Sequence, residues 1–215
     1  MRRLSDPNNG YPKTLRACHQ ALVQEGGFFQ NIAMSYDSIR DSGVITPADK
    51  AQIEKTFRLF LETINRAVLN GNINNWNLAE VTGALYCSLS MGDMVQAERF
   101  FKGPSGILDQ LSKGTMADGW WNESSISYNT WVASEFSQTA LALENWGINF
   151  KDMWVPASYS ANVLLEPELS GGRANSSSNL MKFRPFGMTN EVWGPNRRSF
   201  RKITDLWDSL LPFLD

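Results

Sequence analysis

Residues 46–68, TPADKAQIEKTFRLFLETINRAV, decide the fold class of this chain. Thr46 supplies a hydroxyl cap, Pro47 stands at the first helical position, and Asp49 places an acid in the first turn, which is how helices commonly begin. Apolar residues then recur every three or four positions, at Ile53, Phe57, Phe60, Leu61, Ile64 and Val68. This spacing is typical of a helix with one buried face. The stretch predicts an amphipathic helix that ends at Asn70-Gly71.

The same helical spacing recurs on both sides of this stretch. It predicts further helices over residues 12–25, 29–39, 77–91, 93–102, 107–111, 131–146, 159–165 and 200–214. Gly26-Gly27 is predicted to separate the first two, Asn77 with Glu80 resembles a capping box, and Asp93 is predicted to cap the helix that follows it. Consecutive helices with little strand pattern predict an all-α fold of antiparallel helix hairpins. The alternation fits an α/α toroid, or part of one.

The domain organisation expected from these patterns is a single helical domain over residues 1–215. The helix-hairpin region covers 12–169 and the C-terminal helix covers 200–214. Between them, residues 170–199 are rich in glycine, serine and proline and predict a long irregular loop, with a short strand around 181–186. Two interpretations stay open for this loop: it covers a cleft, or it is only a linker.

Composition excludes several function classes. The chain has 215 residues, 42% of them apolar, and a net charge of −2, so we expect a packed domain and no general nucleic-acid surface. No apolar run is long enough to span a membrane. No hydrophobic signal-peptide core follows the N-terminus, so either the protein stays inside the cell or the chain begins downstream of its natural start.

Metal and histidine chemistry are also not expected. Cys18 and Cys87 are far apart and in no metal-ligand spacing, and His19 is the single histidine. This argues against a structural zinc site and against catalysis by a histidine with serine or cysteine. The sequence therefore predicts no cofactor.

Two polar loops precede predicted helices. The asparagine loop is residues 72–77, Asn-Ile-Asn-Asn-Trp-Asn, and the tryptophan loop is residues 118–128, Asp-Gly-Trp-Trp-Asn-Glu-Ser-Ser-Ile-Ser-Tyr. Tryptophans in a polar loop favour binding of a flat, partly apolar ligand such as a sugar ring. Because loops at one end of the hairpins line the cleft of a toroid, we expect both loops on the same rim.

Asn75 and Tyr128 together have the chemistry for β-elimination on a uronic acid. An amide can hydrogen-bond the carboxylate and favour its enolate form, and a tyrosine oxygen can take a proton from carbon and return one to the leaving oxygen. A free tyrosine has a pKa of about 10, so the base role needs a nearby cation or strong hydrogen bonds.

The sequence here resembles a known enzyme family. Three features, over about residues 30–150, are similar to the toroid domain of heparinase II/III-like and alginate-type polysaccharide lyases: Tyr36-Asp37-Ser38-Ile39 with Asp41-Ser42-Gly43, then Asn74-Asn75-Trp76, then Asp118-Gly119 followed by Glu123-Ser124 and Ser127-Tyr128. The resemblance implies that Asn75 neutralises the uronate carboxylate and that Tyr128 serves as base and acid. It also implies an anionic polysaccharide substrate and an extracellular or periplasmic location.

The chain departs from the family pattern at Trp76, where many members have histidine, and it is shorter than a toroid with its usual β-sandwich. Arginines from the 170–199 loop are the candidate cations: Arg173, Arg184, Arg197 and Arg198, with Arg201 after them. The substrate-binding residues we predict are Trp76, Trp120, Trp121, Glu123, Arg184, Trp193, Arg197 and Arg198. The sequence does not specify the polymer or the oligomeric state.

Other interpretations stay open. Asn75 can be a helix cap and Tyr128 a core residue at a helix start. A glycoside hydrolase on the same fold would need two carboxylates across a cleft, with Asp118, Glu123 and Glu80 as candidates. A non-catalytic helical module that binds glycans or a partner protein is the third possibility.

Overall fold

Helices arranged around one central helix make up most of the structure. A computed structural model describes residues 21–67, 72–157, 159 and 200–213. Its elements, in chain order, are α1 Ala21–Ile39, α2 Pro47–Ala67, α3 Asn75–Met91, α4 Met94–Lys102, α5 Ile107–Gly114, α6 Ile126–Glu144, β1 Val155–Pro156, β2 Phe200–Arg201, α7 Ile203–Asp208 and the 3-10 helix Leu211–Phe213. The all-α class predicted from the sequence is confirmed for these residues.

The central helix is α3. Every residue from 78 to 90 is buried, so α3 is covered on all sides and not along one stripe. It packs against α1, α2, α4, α5 and α6. The core contains buried aromatic side chains from its neighbours, among them Phe29 and Phe60, whose rings stack with centroids 4.0 Å apart. Because α3 is the hub, its first residue lies where several helices converge.

The predicted helix break at Gly26-Gly27 is wrong, since α1 continues through both glycines. Gly26 lies against the backbone of α3, where an added Cβ would be 2.3 Å from the Ala79 carbonyl oxygen. On the facing helix, a Cβ on Gly83 would be 2.4 Å from the Gly26 carbonyl oxygen. The two glycines therefore let the backbones of α1 and α3 touch, a packing role that outweighs the low helix propensity of glycine.

Helix starts agree with the sequence at α2 and α4. Thr46 and Asp49 cap each other reciprocally: the Asp49 N–H donates to the Thr46 hydroxyl at 3.1 Å, and the Thr46 N–H donates to the Asp49 carboxylate at 3.2 Å. Asp93 accepts the N–H of Gln96 at the start of α4.

The C-terminal segment is divided where one helix was predicted over 200–214. Phe200 and Arg201 are extended and pair antiparallel with Val155–Pro156. The Asp205 carboxylate accepts the Lys202 N–H at 2.8 Å, which caps α7 and starts the helix only at Ile203. The predicted helix over 159–165, apart from Tyr159, and the loop over 170–199 lie outside the described residues. Among the described helices, none has both the length and the apolar character to cross a bilayer.

Candidate functional site

The two polar loops lie side by side, as the sequence predicted. The Glu123 carboxylate of the tryptophan loop accepts the backbone N–H of Asn75 in the asparagine loop at 3.0 Å. The same oxygen accepts the indole N–H of Trp121 at 2.7 Å. Glu123 therefore ties the start of α3 to the loop that leads into α6. A carboxylate at this helix start also suits the positive end of the helix dipole.

The cap of α3 is Asn74, and the predicted capping role of Asn77 is wrong. The Asn74 side chain accepts the N–H of Asn77 at 2.8 Å, so the helix begins at Asn75. Asn75 itself is only 8% exposed. Within the residues that the structure describes, no hydrogen bond engages its side-chain amide. The amide is thus not used as a cap, and it keeps its hydrogen-bonding capacity.

Trp76 and Tyr128 are the two exposed aromatic side chains at these helix starts. Trp76 is the second residue of α3 and is 51% exposed. Tyr128 is the third residue of α6 and is 45% exposed, which is not the core position considered as an alternative. Both rings are accessible to a ligand.

Trp121 differs from the sequence expectation because it is fully buried. Its ring occupies the space left by Gly114, where an added Cβ would lie 2.1 Å from the ring atom Cζ3. Its backbone N–H donates to the side chain of Asn129 at 2.7 Å, and its indole N–H is satisfied by Glu123. With no exposed face, Trp121 does not offer a surface for a sugar ring; it anchors the loop.

Asn129, next to Tyr128, is a positioning residue that the sequence analysis missed. Its side-chain oxygen accepts the Trp121 N–H, and its amide donates to the Leu206 carbonyl oxygen of α7 at 2.9 Å. This fully buried side chain joins the tryptophan loop, the first turn of α6 and α7. Nothing in the local pattern distinguishes Asn129 from an ordinary polar helix residue.

Trp120 points to a cleft between the tryptophan loop and α7. The cleft has a volume of about 540 Å³. Trp120 packs edge to face on Phe213, with ring centroids 5.5 Å apart. Gly119 lets the loop approach α7 closely, because its φ is 89° and a Cβ there would be 2.4 Å from the Asp205 carbonyl oxygen. We call this space the Trp120 cleft.

Acids dominate the charge of the Trp120 cleft. Asp118, Asp205 and Asp208 line it together with Arg201. Burial raises the pKa of Asp205, opposed by the hydrogen bond from the Lys202 backbone and by Arg201. Burial also lowers the pKa of Arg201, against the attraction of Asp205 and Asp118. The Arg201 Nε donates to the Thr115 carbonyl oxygen, so this predicted cation has a structural role.

Glu80, a candidate acid for a hydrolase, is 1% exposed inside α3. Burial raises its pKa to about 9, with a further contribution from the nearby charge of Glu25. It has no access to a substrate, and it does not form the predicted capping box. Glu123, the other glutamate candidate, is engaged by two hydrogen bonds.

The remaining predicted substrate-binding residues, Arg184, Trp193, Arg197 and Arg198, lie outside the described residues, as do Cys18 and His19. Cys87 is a buried free thiol whose pKa burial raises well above its ordinary value. In the described part of the chain, no group of three or more histidine, cysteine, aspartate or glutamate side chains is arranged to hold a metal ion.

Comparison with known proteins gives no relative: no protein-family model, curated protein or solved structure matches this chain. Any assignment of function therefore depends on the geometry of the site and on the motif resemblance alone.

Proposed function

We propose that this protein is a polysaccharide lyase that cleaves a uronic-acid-containing polysaccharide by β-elimination. The observation that supports it is the hydrogen bond from the Asn75 N–H to Glu123, which holds the asparagine loop against the tryptophan loop. Two loops whose sequences resemble those of one enzyme family are neighbours in space. We also propose that the helix hairpins form part of an α/α toroid and that the protein acts outside the cytoplasm, as the resemblance implies.

The proposed reaction needs one amide and one phenol. The Asn75 amide donates a hydrogen bond to the uronate carboxylate and stabilises the enolate that forms when the neighbouring carbon loses its proton. The Tyr128 oxygen takes that proton. The Tyr128 hydroxyl then returns a proton to the glycosidic oxygen as the carbon–oxygen bond breaks. The products are a new reducing end and an unsaturated uronate.

The surrounding side chains suit carbohydrate binding. Trp76 and Trp120 offer aromatic surface, and sugar rings pack on such surfaces through their apolar faces. Because the described part of the Trp120 cleft is acidic, cations for an anionic polymer must come from elsewhere. Arg184, Arg197 and Arg198 stay the predicted source, and Trp193 a predicted stacking residue.

Absorbance in the near ultraviolet tests the proposal, because elimination creates a conjugated double bond. Alginate, glucuronan, heparan-like and chondroitin-like polymers are incubated with the wild type, with Tyr128→Phe and with the control Tyr36→Phe. The control removes a hydroxyl that donates to Glu54 and that belongs to neither loop. We expect absorbance to rise with the wild type and with Tyr36→Phe only. A rise with Tyr128→Phe at the wild-type rate would rule out the role of Tyr128.

A glycoside hydrolase is the second candidate, favoured by the three carboxylates around Trp120. Asp118 of the tryptophan loop lines the Trp120 cleft together with Asp205 and Asp208, and hydrolysis needs a pair of carboxylates. New reducing ends without ultraviolet absorbance, lost in Asp118→Asn, would establish this function. Binding of polysaccharide without either product would establish a non-catalytic module.

A further inference from the structure

A second concave surface lies between α1 and α6, with α3 beneath it. It consists of two adjoining depressions, of about 360 Å³ and 630 Å³, that share Met34 of α1 and Gln138 of α6. Ala79 and Tyr86 contribute the α3 side of the lining. None of the residues that line it belongs to the Trp120 cleft. We call this surface the α1–α6 groove.

The smaller depression contains a buried carboxyl group with an unused oxygen. Glu135 lines it and is only 9% exposed. Its side chain is hydrogen-bonded to Gln30, yet its Oε2 atom has no hydrogen-bond partner among the described residues. Leaving a buried carboxyl oxygen unpaired is unfavourable, because the oxygen has lost its hydrogen bonds to water and forms none with the protein. A ligand that donates a hydrogen bond here would compensate that loss.

The charges around this oxygen favour a cation. Asp37 and Glu135 line the groove, whereas the described residues of its lining include neither lysine nor arginine. The amides of Gln30 and Gln138 complete a lining rich in acceptors. Such a lining attracts a positively charged donor and repels an anion.

The larger depression supplies the apolar part of the site. Leu141 is 62% exposed and Met34 is 46% exposed, both on its walls. Trp131, beside Glu135, and Trp146, at the far end, are half-buried. Aromatic rings next to a carboxylate are suited to organic cations, which gain from contact with the ring face as well as from the charge.

We propose that the α1–α6 groove binds a small organic cation. Its amidinium, guanidinium or ammonium headgroup lies in the depression at Glu135, and its apolar body lies along Met34 and Leu141. The Glu135 Oε2 atom accepts a hydrogen bond from the headgroup, and the carboxylate pairs with its charge. This site is separate from the proposed lyase site and does not depend on it.

Benzamidine and benzamide test the proposal, since they have nearly the same shape and differ in charge. Isothermal titration calorimetry with the full chain should give a benzamidine Kd below about 1 mM and at least about tenfold weaker binding of benzamide. In Glu135→Gln, benzamidine binding should weaken by about tenfold, because one charge-assisted hydrogen bond is lost. The matched control Glu144→Gln, an exposed glutamate on the same helix, should bind as the wild type does.

Two further variants keep the test decisive where Glu135→Gln does not fold. Leu141→Lys adds a positive charge at an exposed position on the groove and should weaken benzamidine binding. Ile126→Lys adds the same charge at a 52% exposed position of α6 outside the groove lining and should not. Equal binding of benzamide and benzamidine, or unchanged binding in Leu141→Lys, would overturn the proposal. Because no polysaccharide is present, neither result depends on lyase activity.

Discussion

The carboxylate of Glu123 accepts the backbone N–H of Asn75 at 3.0 Å, although the two residues are 48 positions apart. The same oxygen holds the indole of the buried Trp121. One side chain therefore fixes both the start of α3 and the path of the tryptophan loop. If Asn75 binds a carboxylate in the substrate, Glu123 sets the position of that amide.

We expect Glu123→Ala to lower the free energy of unfolding by about 2 kcal/mol, because a buried indole N–H and a helix N–H lose their acceptor. Urea unfolding followed by tryptophan fluorescence measures this change. Glu123→Gln keeps an amide oxygen in the same place and should restore about half of the loss. If Glu123→Ala were as stable as the wild type, the hydrogen bonds accepted by Glu123 would not stabilise the fold.

Tyr128→Phe should separate catalysis from folding. The Tyr128 side chain is 45% exposed, so removing its hydroxyl should change the free energy of unfolding by less than about 0.5 kcal/mol. If Tyr128 moves the proton, kcat should fall by at least about 100-fold, the usual range for loss of a general acid–base group. The polysaccharide KM should change little. A fall in stability that matched the fall in rate would point to a structural role instead.

Gly26 and Gly27 form a matched pair of substitutions. Gly26→Ala should destabilise the protein by about 3 kcal/mol or more, because its Cβ would meet the Ala79 carbonyl oxygen at 2.3 Å and the α1–α3 contact would have to open. Gly27→Ala meets nothing within 4 Å and should stabilise the helix by about 0.5–1 kcal/mol. Thermal unfolding of both variants compares them directly, and equal effects would contradict the proposed close contact.

Local patterns predicted what depends on local interactions. The sequence predicted the caps of α2 and α4 and the apolar stripe of α2, because each of these features involves residues within a few positions of one another. The proximity of the two polar loops was also predicted, since both precede helices. The caps and the apolar stripe follow from helix periodicity and capping chemistry, which act over one or two turns. The proximity of the loops was instead expected from the arrangement of the helix hairpins.

Long-range packing decided the features that the sequence did not reveal. The pattern at Gly26 is typical of a helix end, whereas its actual role depends on contact with Gly83 of α3. In the sequence, Trp121 resembles a surface residue. The space for its ring is provided by Gly114, and a glycine gives no sequence signal of such a contact. Asp205 lines the Trp120 cleft because of where α7 packs, and the position of α7 depends on its hydrogen bond from Asn129. Each case turns on a contact between residues whose pairing no local pattern specifies.

Glu80 gives a prediction for the pH dependence of stability. Burial raises its pKa to about 9 from an ordinary value of 4.5, so between these pH values the folded protein holds a proton that the unfolded chain has released. Its contribution to stability is complete below the unfolded pKa and is lost as the pH rises towards the folded pKa. The free energy of unfolding should therefore fall between pH 5.5 and 8, by up to about 1.4 kcal/mol per pH unit from this group. Burial also raises the pKa of Glu135.

Glu80→Gln isolates that contribution, because glutamine has the same shape and does not titrate. Burying the glutamine amide lowers the free energy of unfolding by the same amount at every pH. The decisive quantity is therefore the slope of the free energy of unfolding against pH, and not its value at one pH. We expect the slope of the free energy of unfolding against pH, measured by urea unfolding between pH 5.5 and 8, to become clearly shallower in Glu80→Gln. In the exposed control Glu144→Gln the slope should stay at the wild-type value. Equal slopes in the two variants would mean that Glu80 is ionised in the folded protein, and that water or a cation reaches the centre of α3.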